Sequence, residues 1–493
     1  MIEKTIKEIL SYAKNHLALN REDEVYFKNV LLHLFGKEVP YEGEIDEKKI
    51  SSLEVPDSLI QEIIDYETKE ENVTPEEAFL KADFVLGLLS PTPSKVNEKF
   101  FELAKKNDLA ALDYLYELSI HNGYFQKTKV EQNLEWDASF KDGPSLKITI
   151  NLSKPEKNNK DIAKLLNKVS SDYPKCRLCH DNLGFYGDAK HPARSTIRFV
   201  PLKLANEKWY LQYSPYGYFP KHCICFKDEH VPMKIEHKTF RRLLDFVDLF
   251  PSFFMGSNSD LPIVGGSILD HEHFQGGLPC LPIFQAKKKE EIYLSSQGSK
   301  VSILDFYVTA LKIEGKDKEG VISLADSILD KWLPYNDIDN DIIGNENGVR
   351  HNALTLISEK KDGVYNLYLL LRNNRTSKEY PDGIFHAHPE YFSIKKEGIG
   401  LIEAAGLFVL PARLKRQIEE AKQSANLPKE EYLAKFPDMK DFEGMISVIK
   451  NGGTPEGYIN SVCQNILRNV AVFKDDEKGR AGFHKFLKTV FGE

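Results

Sequence analysis

Long apolar runs, an excess of basic charge and a dense set of cysteines are all missing from this 493-residue chain. Each absence removes a class of protein. The most apolar stretch, IGLIEAAGLFVLPARL, is interrupted by Glu403 and stopped by Pro411, too short and too polar to span a bilayer. A net charge of -8 argues against a general nucleic-acid or membrane surface, so any phosphate site must be built from a few local cations. Six cysteines, Cys176, Cys179, Cys223, Cys225, Cys280 and Cys463, are too sparse for a disulfide scaffold and read as thiols or metal ligands. The first residues, MIEKTIKEILSYAKNHLAL, mix charges into an amphipathic helical pattern and show no apolar signal core. Together these point to a cytoplasmic protein.

What remains is an ordinary globular composition, 41% hydrophobic and 28% charged, long enough for two or three domains. Residues 1–135 read as helix, with apolar residues three and four apart in EEAFLKADFVLGLL and VNEKFFELAKKNDLAALDYLYEL. In NVTPEE, Thr74 fits an N-cap, Pro75 the first helical position, and acids follow. No chemical motif stands in this region, which reads as packing or oligomer surface. Residues 136–290 read as an α+β domain, because SLKITINLSK, EKWYLQYSPY and KHCICF alternate as strands do and HKTFRRLLDFVDLFPSFFMG is helical. A second strand-bearing half spans 291–410, with KKDG marking a hairpin turn. Residues 411–493 return to helix, broken at KNGGTPEG. The fold class is α+β: two antiparallel-sheet halves with a helical N-terminal extension and a helical C-terminal tail.

Four constellations carry chemistry. In GGSILDHEHFQGG, His271, His273 and Gln275 share one face of a strand, and the flanking glycines leave room for a ligand. An exposed polar strand face is the plainer reading, but the glycines and the glutamine favour a site. In YPKCRLCHDN, Cys176 and Cys179 have the spacing of half a zinc site. Buried or redox-active thiols are the alternative there. The partners on offer are His180, His191, His222, His230, His237 and His271, and spacing does not choose among them. In HCICFKDEH, Cys223 and Cys225 alternate like core residues, whereas His230 follows in an acidic turn. In FHAHPEYF, His386 and His388 fall on a common strand face, and SIKKEGIGLIEAAG adds Lys395, Lys396 and Glu403. The two lysines read either as a solvated pair or as a clamp for an anionic ligand.

Taken in order, CRLCHDN, HPARSTIRF, LQYSPYGYFPKHCICF, GGSILDHEHFQGG, LLLRNN and IKKEGIGLIEAAGLFVLPARL resemble the galactose-1-phosphate uridylyltransferases. The match is to their second class, which carries a helical N-terminal extension, within the histidine-triad superfamily. The resemblance covers most of residues 170–415. The first-class signature His-Pro-His-Gly-Gln stands here as His271-Glu272-His273-Phe274-Gln275. The resemblance implies that His273 is the nucleophile that becomes uridylylated and that Gln275 contacts the phosphoryl group. It implies a structural zinc on Cys176, Cys179, His230 and His271, and a nucleotide pocket lined by Asn258 and Ser267. The second metal of the first class is left unassigned. His386 and His388 match two of its ligands, while Glu290, Glu291 and His351 are only candidates for the rest. The family is dimeric in its first class, with the neighbour's C-terminal half entering the site, which would place Lys395, Lys396 and Glu403 in trans.

The implied reaction converts UDP-glucose and galactose-1-phosphate into glucose-1-phosphate and UDP-galactose by ping-pong kinetics through a uridylyl-histidine. Imidazole suits this role because its free pKa of about 6.5 leaves it largely neutral at neutral pH. Related hydrolases carry a third histidine where Gln275 stands. A glutamine hydrogen-bonds but donates no proton, which suffices for a sugar-phosphate leaving group. Arg194, Arg198, Lys395 and Lys396 are candidates to offset substrate charge. Two rivals remain: a histidine-triad nucleotide hydrolase or dinucleoside phosphorylase, and a non-enzymatic zinc-stabilised binding protein.

Overall fold

The computed structural model describes residues 2–153, 173–188 and 191–492. The last residue of the strand motif SLKITINLSK, Lys154, lies outside them. Among the described residues fifteen strands run in chain order: β1 Leu134–Ala138, β2 Leu146–Asn151, β3 Val200–Leu204, β4 Glu207–Tyr213 and β5 Cys223–Lys227. Then come β6 Phe254–Ser257, β7 His273–Gly277, β8 Lys287–Leu294, β9 Lys300–Asp305 and β10 Ala310–Gly315. The last five are β11 Asn345–Glu346, β12 Val349–Arg350, β13 Asn352–Lys361, β14 Val364–Asn373 and β15 Leu407–Pro411.

Ten of them form one antiparallel sheet in the order β3-β4-β5-β7-β6-β13-β14-β10-β9-β8. This order is a repeat. Each half has three strands joined in sequence, then a helix, His237–Leu249 or Lys318–Trp332, then two more strands. The halves meet where β6 and β13 pair antiparallel, with Gly256 opposite Ile357. Across that pair Gly256 faces Gln275 in β7, and Ile357 faces Tyr368 in β14. His273 therefore corresponds to Asn366, and only the first half carries a histidine at this place.

Local chemistry sets the element ends. Thr74 caps helix Pro75–Leu89 through a reciprocal capping box with Glu77. The segment 96–118, with its apolar residues three and four apart, falls in two helices: Pro93–Ala104 and Asp108–His121, parted where the Asn107 side chain caps the second by accepting from the Ala110 N–H. Asp362 and Gly363, both at positive φ, make the two-residue turn joining β13 to β14. His386 and His388 do not share a strand; they lie in the irregular loop between β14 and β15, each bound by one ring nitrogen to a nearby backbone carbonyl.

One face of the sheet packs on the two repeat helices and the N-terminal helices, through Trp209, Phe240, Leu243, Phe274 and Trp332. The other face meets the small sheet β1-β2-β15 and the C-terminal helices as far as Val470, whereas the last helix, Glu477–Phe491, packs on Trp332 with the first face. Alternation along β7 divides its residues accordingly. Phe274 stacks on Trp209 at 4.7 Å in the helix-covered core, and Glu272 binds Arg242 of helix His237–Leu249. His273 and Gln275 point the opposite way. Among the described residues no helix is long and apolar enough to cross a membrane.

Candidate active site

The Cys-x-x-Cys turn is pinned by Asn182, whose Nδ2 donates to the carbonyls of Cys176 and Cys179 at 2.8 Å each. Against it come His230, just after β5, and His271, just before β7. Cys176 Sγ lies 3.2 Å from His271 Nδ1, Cys179 Sγ lies 3.1 Å from His230 Nδ1, and the two sulfurs are 3.4 Å apart. All four ligand atoms fall within 4.8 Å of one another. The donor chemistry fits a divalent cation of intermediate softness. His271 Nε2–H donates to the Lys227 carbonyl at 2.8 Å, which leaves Nδ1 with its lone pair toward the sulfurs. Burial pushes the Cys176 thiol up to about 12, so a cation would be what stabilises it as thiolate.

The other histidines have different employment. His180 stacks on Tyr210 at 4.5 Å, His191 pairs with Asp188 at 3.1 Å, and His237 pairs with Asp326 at 2.7 Å. Glu290 and Glu291 lie on the edge strand β8, paired with His484 and Lys300, and His351 Nδ1 is 2.8 Å from Asn374 Oδ1. Among the described residues they form no ligand cluster with His386 or His388.

Two residues beyond His271 the main chain turns His273 away from the cysteines. Its Nδ1–H donates to the His271 carbonyl at 2.8 Å, and its backbone N–H donates to Met233 Sδ at 3.2 Å. With Nδ1 committed as donor, Nε2 carries the lone pair. Burial lowers the His273 pKa to about 4, so the ring is neutral at physiological pH. His273 and Gln275 line a cavity of about 590 Å³ together with Ser267, Arg194, Tyr124, Arg177, Gln212 and Tyr218. A second cavity of about 380 Å³ shares Gln275, Ser267 and Tyr218 with the first and adds Asn258, Lys395, Lys396 and Glu403. A larger cavity of about 870 Å³ beside β2 contains none of these residues, so volume does not mark the site.

Several candidates are placed differently from their sequence reading. Arg198 lines neither cavity; its guanidinium donates to the carbonyls of Gly87, Pro91, Ser195 and Ile197, tying its loop to the N-terminal helices. Arg194 does face the first cavity, with its guanidinium 5.7 Å from the Tyr124 ring centre. Lys395 is buried and its Nζ donates to Glu403 Oε1 at 2.9 Å, so this pair is internally compensated rather than an open clamp. Lys396 is the exposed member and lies over the Phe392 ring. Asn258 accepts the Leu401 N–H through Oδ1 at 2.7 Å, and that bond fastens the 398–403 segment to the first half. Lys395, Lys396 and Glu403 therefore line one cavity with Gln275 of their own chain. Arg177, Gln212 and Tyr218 stand inside CRLCHDN and LQYSPYGYFPKHCICF but carry no assigned role in the sequence, His222 figures there only as a possible metal ligand, and Tyr124 lies outside every motif.

A buried neutral imidazole with one nitrogen tied and the other carrying its lone pair, beside a glutamine amide and cation-lined space, has the chemistry that nucleotidyl transfer requires. Residues 18–232 match the family described as galactose-1-phosphate uridyl transferase, N-terminal domain. The chain is 42% identical to a galactose-1-phosphate uridylyltransferase of Caldanaerobacter subterraneus, over 98% of this chain and 97% of that protein. It is 38% identical to that of Clostridium acetobutylicum, over 99% and 100%. The chain belongs to the galactose-1-phosphate uridylyltransferase family, whose members are nucleotidyltransferases. The crystal structure of yeast Ap4A phosphorylase Apa2 overlaps 71% of this chain and 92% of its own at 12% identity, but a TM-score of 0.35 gives that likeness no weight.

Proposed function

We propose that the chain transfers a uridylyl group between glucose-1-phosphate and galactose-1-phosphate, through a covalent intermediate on His273. The observation that carries this reading is the Nδ1–H bond of His273 to the His271 carbonyl, which leaves Nε2 as a neutral nucleophile at a cavity wall. In the first displacement Nε2 attacks the α-phosphorus of UDP-glucose, the bond to the bridging oxygen breaks, and glucose-1-phosphate leaves with that electron pair. Nδ1 keeps its proton throughout. Galactose-1-phosphate then attacks the same phosphorus and returns the pair to Nε2, giving UDP-galactose.

Gln275 hydrogen-bonds the phosphoryl oxygens and supplies no proton, as a sugar-phosphate leaving group allows. Arg194 and Lys396 offset phosphate charge, while Asn258, Ser267 and Glu403 shape the pocket that the two halves share. Cys176, Cys179, His230 and His271 would hold a zinc ion whose role is to fix the loop that aims His273; four protein ligands leave no position for Lewis-acid chemistry. Reduced thiol ligands suit the cytoplasm, and the assembly is a homodimer in which each chain supplies its own Lys395, Lys396 and Glu403. The chain is organised as a helical unit 1–135, a catalytic unit 136–290, a second half 291–410 and a helical unit 411–493.

Incubation with UDP-glucose and galactose-1-phosphate, followed by product analysis, tests the function. UDP-galactose and glucose-1-phosphate should appear in equal amounts. Release of UMP without hexose exchange would point instead to a histidine-triad hydrolase.

A further inference from the structure

The phosphoryl role of Gln275 has a requirement that the glutamine does not meet alone. A carboxamide presents an acceptor on one side and two donors on the other, and an anionic phosphoryl group is stabilised only by the donors. Something must hold the oxygen side away from the substrate.

The neighbouring strand offers one candidate. His222 immediately precedes β5, where Ile224 pairs with Gln275, so the two side chains are diagonal neighbours on the same sheet face. His222 Nε2 lies 3.1 Å from Gln275 Oε1. The imidazole is 1% exposed and is packed by the rings of Tyr218 at 5.1 Å and Phe219 at 4.4 Å. Its other nitrogen, Nδ1, is buried with no hydrogen-bond partner.

Two arrangements satisfy the 3.1 Å contact. In one, Nε2–H donates to Gln275 Oε1, Nδ1 is a bare lone pair, and the amide N–H groups face the cavity. In the other, Gln275 donates to Nε2, Nδ1 carries a hydrogen with no acceptor, and Oε1 faces the phosphoryl group. The second places an orphaned donor in the core and a partial negative charge against an anion. Buried orphan donors are rarer than orphan acceptors, so both terms favour the first arrangement. Protonating both nitrogens is opposed by burial, which lowers the His222 pKa to about 4.

We propose that His222 is a positioning residue: its Nε2–H holds Gln275 Oε1, so that the Gln275 amide donors face the transferring phosphoryl group. This rests on the uridylyl-transfer reading above and adds to it. His222 stands apart from the Cys176, Cys179, His230 and His271 cluster. It acts through the glutamine alone.

A double-mutant cycle on the full chain tests this, reading the rate of uridylyl-enzyme formation from UDP-glucose in rapid-quench mass spectrometry. His222→Phe keeps the aromatic packing and removes the donor, and should slow adduct formation about 10- to 100-fold at saturating UDP-glucose. His222→Gln, which offers an amide donor at similar reach, should restore most of the rate. In a Gln275→Ala background, His222→Phe should change the rate by no more than about twofold. His222→Met, also without a donor, replaces His222→Phe if that variant does not fold.

Equal losses in both backgrounds, or no loss in either, would overturn the positioning role while leaving the uridylyl-transfer reading intact. Absence of any adduct on the unmodified protein would overturn both.

Discussion

Arg242→Met should be the most damaging substitution outside the site itself. The Arg242 side chain is 1% exposed and bridges three carboxylates. Nη1 donates to Glu272 Oε1 at 2.7 Å, Nε to Glu207 Oε2 at 2.7 Å, and Nη2 to Glu236 Oε1 at 3.0 Å. Glu272 stands between His271 and His273, where the first-class signature has proline, and its side chain is 4% exposed. Burial pushes its carboxyl up from the usual carboxylate range, and Arg242 offsets part of that rise.

Methionine fills the space of the arginine stem but leaves the carboxylates facing one another. Lys227 Nζ, 3.6 Å from Glu272, compensates only in part. Breaking a buried pair in this way costs about 3–5 kcal/mol, and Lys227 puts the expected loss near the lower end. Glu272→Gln should cost less, about 1–2 kcal/mol, because Arg242 keeps Glu207 and Glu236. Urea denaturation followed by tryptophan fluorescence reads the effect, since Trp209 packs between Arg242 and Phe274. An Arg242→Met loss below about 1 kcal/mol, or one smaller than that of Glu272→Gln, would refute the buried-charge argument.

Because Lys396 and Glu403 line a cavity with Gln275 of their own chain, mixing His273→Ala protein with a Lys396→Ala/Glu403→Ala variant should restore no activity beyond the sum of the parts. Recovery approaching a quarter to a half of the unmodified rate would show that the halves combine between chains. Cys179→Ser should abolish tight metal retention, measured by elemental analysis after dialysis, whereas Cys223→Ser should retain it. The pKa of His273, about 4 when folded against about 6.5 when unfolded, means that the unfolded chain takes up the proton first as pH falls. That contribution to stability is complete above about 6.5 and is lost as pH falls toward 4, on the order of 3 kcal/mol, and should be smaller in His273→Asn when unfolding is followed against pH.

Much of this architecture was readable because local chemistry determines it. The capping box at Thr74, the Asp362-Gly363 turn and the alternation through β7 each depend on residues adjacent in sequence. The metal ligands were not readable from spacing, because Cys176 and His271 meet across 95 positions and six histidines fitted the pattern. Only the order of several motifs, through the family resemblance, singled out His230 and His271. The fate of Arg198 was hidden for the opposite reason: an arginine satisfied by four backbone carbonyls looks in sequence like one poised for phosphate. The meeting of the two halves at β6 and β13 is a long-range pairing that no local pattern encodes, and the sharing of the second cavity by residues of both halves follows from it.

The most direct measurement is peptide mapping by mass spectrometry after brief incubation of the protein with UDP-glucose and acid-free quenching. A UMP-sized adduct is expected on the peptide containing residues 271–277, absent from His273→Ala. An adduct on any other peptide, or one that survives in His273→Ala, would contradict it.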